Sequence, residues 1–291
     1  MCLRKYTRIA NGRSITPNVL KSLVNVDFFI KRSTIKHTDS FGWIAVREDQ
    51  RMKTINTTKL LLLIYTPTFV LSVMYFVLAQ FIKIPNLLLF CIIATFTMVP
   101  IETGIILNAG RKETGKYSFA SAFTGQEKMP LWKSFVIAFA FCAIAGLLSV
   151  TAAPLESDLF SGLRNGLLSH LPAGFDWTDY EYLKTFSRPV LITTCIYYFV
   201  FNVFVGPITE ELFFRGYLTS HYNKQTAFTP VLIAILFSLY HFWLPFNNIF
   251  RILVFVPVAY AAYKKKNIYI SMLFHCMCNL ISAVGFALEV L

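Results

Sequence analysis

The sequence predicts an all-α, polytopic helical membrane protein with about seven transmembrane helices around an intramembrane polar cavity. Three observations lead there. Of 291 residues, 56% are hydrophobic and only 14% are charged, whereas soluble domains carry about a quarter. Repeated apolar runs approach the ~20 residues that a helix needs to cross a bilayer. The last of these runs contain Glu, Arg, His and Asn, groups that are costly in hydrocarbon and mark function when they occur there.

The chain divides into a basic N-terminal segment, residues 1–58, and a membrane domain, residues 59–291. In the first, Thr16 and Pro17 precede Val19, Leu20, Leu23 and Val24. That pattern predicts a short amphipathic helix capped by Thr16 and lying on a membrane surface. No cleavable signal peptide is evident, because the first long apolar run begins near Leu60. Met52 directly precedes it and offers an alternative start, which would make residues 1–51 dispensable. Spans are expected at about 60–82, 86–108, 131–153, 188–206, 228–244, 248–263 and 267–289. The fifth and sixth are short. Residues 154–187 lie between spans; Leu155, Leu159, Leu163, Leu167 and Leu171 recur every fourth position and predict an interfacial amphipathic helix. Trp177, Tyr180 and Tyr182 follow as an aromatic belt.

Net charge is +12, about two-thirds of it before residue 60. A basic tail beside membrane spans reads as a cytoplasmic flank held by anionic lipid rather than as a nucleic-acid arm. The loop at 109–130, with Arg111, Lys112, Lys116 and Lys128, and the Lys264–Lys265–Lys266 loop also belong inside. Residues 154–187, with Glu156, Asp158, Asp176, Asp179 and Glu181, belong outside. The N-terminus is therefore expected in the cytoplasm and the C-terminus outside. Short spans and basic inner loops suit a prokaryotic plasma membrane. The six cysteines show no disulfide or zinc-ribbon spacing. Cys276 and Cys278 flank His275, but buried apolar cysteines are usually inert.

Three motifs carry the chemistry. In the first, Gly206–Pro207 ends the fourth span and opens a new helix with Thr209 as cap and Glu210 and Glu211 in its first turn. Glu211 and Arg215 stand four apart and pair, which leaves Glu210 free to exchange protons. The second is Phe237-x-x-x-His241; if its helix is short or deeply inset, His241 shares a cavity with Glu210 and a water fits between them. The third is His275-x-x-x-Asn279, two donors on one helix face, suited either to an oxyanion hole or to an interhelical clamp. Glu102 is expected to snorkel towards Arg111 or Lys112. Asn202 has no evident partner, and His37, His170 and His221 read as surface residues.

With these motifs in order, residues 188–289 resemble the CPBP family of intramembrane proteases. That family includes the CAAX prenyl endopeptidase Rce1 and bacterial abortive-infection and bacteriocin-immunity membrane proteins. The resemblance implies hydrolysis of peptide bonds in membrane-associated substrates, CAAX-type or bacteriocin-related, in a cavity opening to the cytoplasm. It implies that Glu210 activates water assisted by His241, that Glu211 and Arg215 form a supporting pair, and that His275 and Asn279 stabilise the oxyanion. No cofactor is favoured. Members are often labelled metalloproteases, and zinc held by Glu210, His241 and His275 is the alternative, with three ligands and an open position. The expected partners are membrane lipid and a membrane-associated peptide or protein; nucleic acid is not expected. The competing function is a non-catalytic immunity or scaffold protein that binds a membrane partner. A transporter lacks support from inverted repeats.

Overall fold

The computed structural model describes residues 54–172 and 174–291. The amphipathic helix expected after Thr16 and the position of His37 lie outside the described residues. Seven principal helices occur among those described: α1 (Thr57–Leu78), α2 (Asn86–Thr114), α3 (Leu131–Leu168), α4 (Arg188–His221), α5 (Thr229–Leu239), α6 (Asn248–Lys264) and α7 (Tyr269–Val290). Six are long and apolar enough to cross a membrane, α6 being counted with the 3-10 turn Pro245–Asn247 before it. The outer surface is apolar, with Phe69, Trp132, Leu147 and Val150 all more than 60% exposed. Such a surface is tolerated only against lipid or a partner. The protein is a polytopic helical membrane protein with six candidate spans.

The expected fifth span, 228–244, is corrected. α5 holds only 11 residues, about 17 Å at ~1.5 Å per residue, half the hydrocarbon thickness. Its last turn stops inside the bundle because α1 receives it there: the Thr68 hydroxyl donates to the Tyr240 carbonyl at 2.6 Å. A buried helix end needs such a partner for its free carbonyls.

The interfacial helix expected after residue 154 is also corrected, since α3 runs unbroken through Pro154 for 38 residues. At about 57 Å this exceeds the bilayer with its headgroups. Leu155, Leu159, Leu163 and Leu167 form an exposed stripe on its far half. Glu156, the residue after Leu155, is by contrast 4% exposed. It accepts from the backbone N–H of Ile249 at 2.8 Å and Phe250 at 2.6 Å. An apparent loop acid thus caps α6 from a neighbouring helix.

The opposite helix ends are tied together. Ile55 pairs with Tyr222 as a parallel bridge, Lys266 donates to Glu127 at 2.7 Å, and His221 Nε2 lies 2.8 Å from Glu113 Oε1. His221 is 7% exposed, so its reading as a surface residue is corrected: it joins the end of α4 to the end of α2.

Candidate active site

α4 decides the site's geometry. The expected helix break at Gly206–Pro207 does not occur; the helix continues for 34 residues. Two widened π-helical stretches, Phe201–Val205 and Glu211–Leu218, accommodate the sequence. Thr209 makes no side-chain cap but lies buried within the helix. In the first stretch the Gly206 N–H reaches back five residues to the Phe201 carbonyl. In that register the Asn202 carbonyl would be served by residue 207, and proline has no N–H. Asn279 on α7 takes the place, its Nδ2 donating to the Asn202 carbonyl at 2.8 Å. Asn202 Nδ2 returns a longer bond to the Asn279 carbonyl at 3.5 Å. Asn202, left unassigned by the sequence, is thus half of an interhelical clamp. Gly216 permits a second close approach: a Cβ there would stand 2.5 Å from the Ala122 carbonyl, in the 3-10 segment Phe119–Phe123.

Glu210, Glu211, Arg215, His241 and His275 are all buried, at 9% exposure or less. Glu211 Oε1 lies 3.2 Å from Arg215 Nη1 and 3.1 Å from His275 Nδ1. Arg215 is held less by hydrogen bonds than by aromatic faces. Its guanidinium carbon sits 4.1 Å from the Phe237 ring centre and 5.1 Å from that of Phe255, a desolvated cation–π arrangement. The expected Glu211–Arg215 pair is therefore present, with Phe237 of the second motif as its wall.

Glu210 faces the other way. Its Oε1 accepts from the Tyr240 hydroxyl at 2.7 Å, and its Oε2 lies 3.7 Å from His275 Nε2. His275 thus stands between the two carboxylates from α7, bonded to Glu211 and near Glu210. His241 stands just beyond the short α5, and its Nδ1 donates to the Phe237 carbonyl at 2.9 Å. That fixes the tautomer and leaves Nε2 as an acceptor. Glu210, His241, His275 and Asn279 all line one cavity of about 480 Å³ that reaches Tyr198, Asn247 and Arg251. The structure brings together all three motifs.

Two further residues carry no reading from the sequence. Tyr240 orients Glu210 and gave no sequence signal beyond adjacency to His241. Arg251 lines the cavity from α6; an arginine within an apolar run was the available signal. Glu102 was expected to snorkel, and this is corrected: it is fully buried and neither carboxylate oxygen has a partner among the described residues. It lies one turn beyond Met98, whose sulfur is 2.9 Å from the Tyr240 hydroxyl. The helix holds that face inward, so the side chain cannot reach Arg111.

Among the described residues no group of three His, Cys, Asp or Glu side chains is arranged to hold a metal ion. The Nδ1 atoms of both histidines are already committed, to Glu211 and to the Phe237 carbonyl. That leaves the Nε2 of each histidine uncommitted, the usual state of a metal-binding histidine whose Nδ1 is held by a carbonyl or carboxylate, so what disfavours zinc is the arrangement of the three groups and not their bonding. The five described cysteines are free.

Comparison with known proteins returns one family. The Rce1-like family model, described as type II CAAX prenyl endopeptidase Rce1-like, matches residues 192–281. No curated protein and no solved structure matches. The matched region contains all six residues singled out in the three motifs.

Proposed function

We propose that this chain, a member of the Rce1-like family through residues 192–281, is an intramembrane endopeptidase in which Glu210 activates water. The observation that carries the reading is the environment of Glu210. It is a buried carboxylate that accepts from Tyr240 on one side, with His275 3.7 Å away on the other, in a cavity it shares with His241, whose Nε2 has no partner among the described residues. Nothing in packing alone requires that convergence from three helices.

A water in this cavity hydrogen-bonds to Glu210 and His241. Glu210 takes its proton as the oxygen attacks the peptide carbonyl. The negative charge that develops on the carbonyl oxygen is met by His275, while Asn279, whose amide donates to Asn202, fixes α7 against α4. Collapse breaks the C–N bond, and Glu210 returns its proton to the leaving amine. Glu211 and Arg215 keep His275 in place. The substrate class is a prenylated peptide of CAAX type, presented from the membrane. On the orientation that the loop charges predict, the cavity, with Leu87, Trp177, Leu244 and Asn247 in its lining, lies towards the side away from the basic loops, not on the cytoplasmic side that the family resemblance implies.

The test is direct. The purified protein, incubated with a synthetic S-prenylated CAAX peptide, is expected to yield a defined pair of fragments by mass spectrometry, and to do so in the presence of a strong chelator. An absence of cleavage would favour a non-catalytic binding role. Cleavage lost on chelation and restored by zinc would overturn the metal-free mechanism and make Glu210, His241 and His275 the ligands to examine.

A further inference from the structure

Arg251 is a second buried arginine in the same cavity, and its situation differs from that of Arg215. Nη1 donates to the Ser238 carbonyl at 3.2 Å and to Asn248 Oδ1 at 2.9 Å. No other acceptor meets its guanidinium among the described residues, which leaves the N–H groups on Nε and Nη2 without protein partners. Those atoms are not sealed away as the nitrogens of Arg215 are; they open onto the cavity that Arg251 lines. Arg251 also sits in the first turn of α6, where a cation opposes the helix dipole. Its placement is not explained by the helix it belongs to.

Its distance from the chemistry is set by α6. Phe255 lies four residues on, one turn along the same face, about 5–6 Å away. The Phe255 ring centre is 4.8 Å from that of His275. A fixed planar fork with free donors, a turn from the reacting groups and walled by apolar side chains, suits one ligand above others: a carboxylate taken bidentately. An extended peptide covers about 3.3–3.6 Å per residue, so a carboxylate on Arg251 lies roughly one to three residues beyond the scissile carbonyl.

We infer that Arg251 is the residue that binds the free C-terminal carboxylate of the substrate. This rests on the endopeptidase reading above and adds the feature of the substrate that the site selects. A CAAX peptide, which ends a few residues after its prenylated cysteine, meets the requirement.

The experiment uses two S-prenylated CAAX peptides identical except that one ends in the carboxylate and the other in the C-terminal amide. The full-length protein in detergent is expected to favour the acid by roughly 10- to 100-fold in kcat/KM, the scale of one charged hydrogen-bonded contact. In Arg251→Gln that ratio is expected to fall to near one, and Arg251→Lys, which keeps the charge but loses the fork, to retain part of it. Binding of both peptides to Glu210→Gln, read by fluorescence anisotropy, repeats the comparison without turnover. If the wild type cleaves neither peptide, the endopeptidase reading fails, while tighter binding of the acid still upholds the carboxylate site. Equal handling of acid and amide by the wild type, in cleavage and in binding, overturns the inference. So does an undiminished preference in a folded Arg251→Gln, or a preference for the amide peptide bearing an added acidic residue over the free acid.

Discussion

Tyr240 and Glu102 approach Glu210 from opposite standings: one is bonded to it, the other has no bonding partner among the described residues. Tyr240→Phe removes the 2.7 Å hydrogen bond while keeping the ring that packs on Phe214 and Phe237. Peptide cleavage is expected to fall roughly 10-fold with little change in melting temperature, because a positioning contact is lost and the packing stays. A rate equal to the wild type would remove Tyr240 from the site. Glu102 carries two buried oxygens without partners, a burden of about 1–3 kcal/mol for an unsatisfied group. Glu102→Leu is therefore expected to raise the melting temperature in detergent. A fall would mean that Glu102 has a partner in the folded protein. Residue roles were the most legible part of the sequence where they rest on fixed spacing, as with Glu211 and Arg215. They were least legible where the partner lies on another helix, as with Asn202, or where the residue is an ordinary aromatic, as with Tyr240.

At the scale of elements, α4 is where sequence rules and structure part. Proline inside a helix reads as a boundary, yet here the preceding turn widens and an asparagine on another helix satisfies the carbonyl that proline orphans. Only the tertiary partner makes the continuous helix affordable, and a single helix's periodicity cannot disclose it. Similarly α5 reads as a span because its apolar run extends past residue 240, but its end is fixed by Thr68 on α1. Asn279→Ala is expected to destabilise the protein by about 1–3 kcal/mol by leaving the Asn202 carbonyl bare. Pro207→Ala restores an N–H at the position facing that carbonyl in the wide register. The double variant should therefore lose less than the sum of the single losses, a coupling that thermal unfolding of the four proteins measures. Strict additivity would show that the clamp and the wide turn are unconnected.

Across the whole molecule, the pairings Ile55–Tyr222, Glu113–His221 and Glu127–Lys266 gather one set of helix ends, and Glu156 with Ile249 marks the other. The basic loops fall on the first side and the acidic segment on the second, as the charge pattern of the sequence anticipates. The account expects the first side to be cytoplasmic. In a background with the native cysteines replaced, Ala120→Cys should react with an impermeant maleimide only after the cells are opened, and His170→Cys in intact cells. The reverse pattern would invert the orientation.

The central claim is that Glu210, not Glu211, activates the water. Glu211 is committed to Arg215 and His275, so Glu211→Gln should lower both activity and abundance. Glu210→Gln preserves shape and the contact with Tyr240, and should leave the protein as abundant and as stable as the wild type. The decisive measurement is the rate at which purified Glu210→Gln cleaves the S-prenylated peptide: the account predicts a loss of at least roughly 1,000-fold, the scale of removing a general base, and a folded variant that cleaves at near the wild-type rate would contradict it.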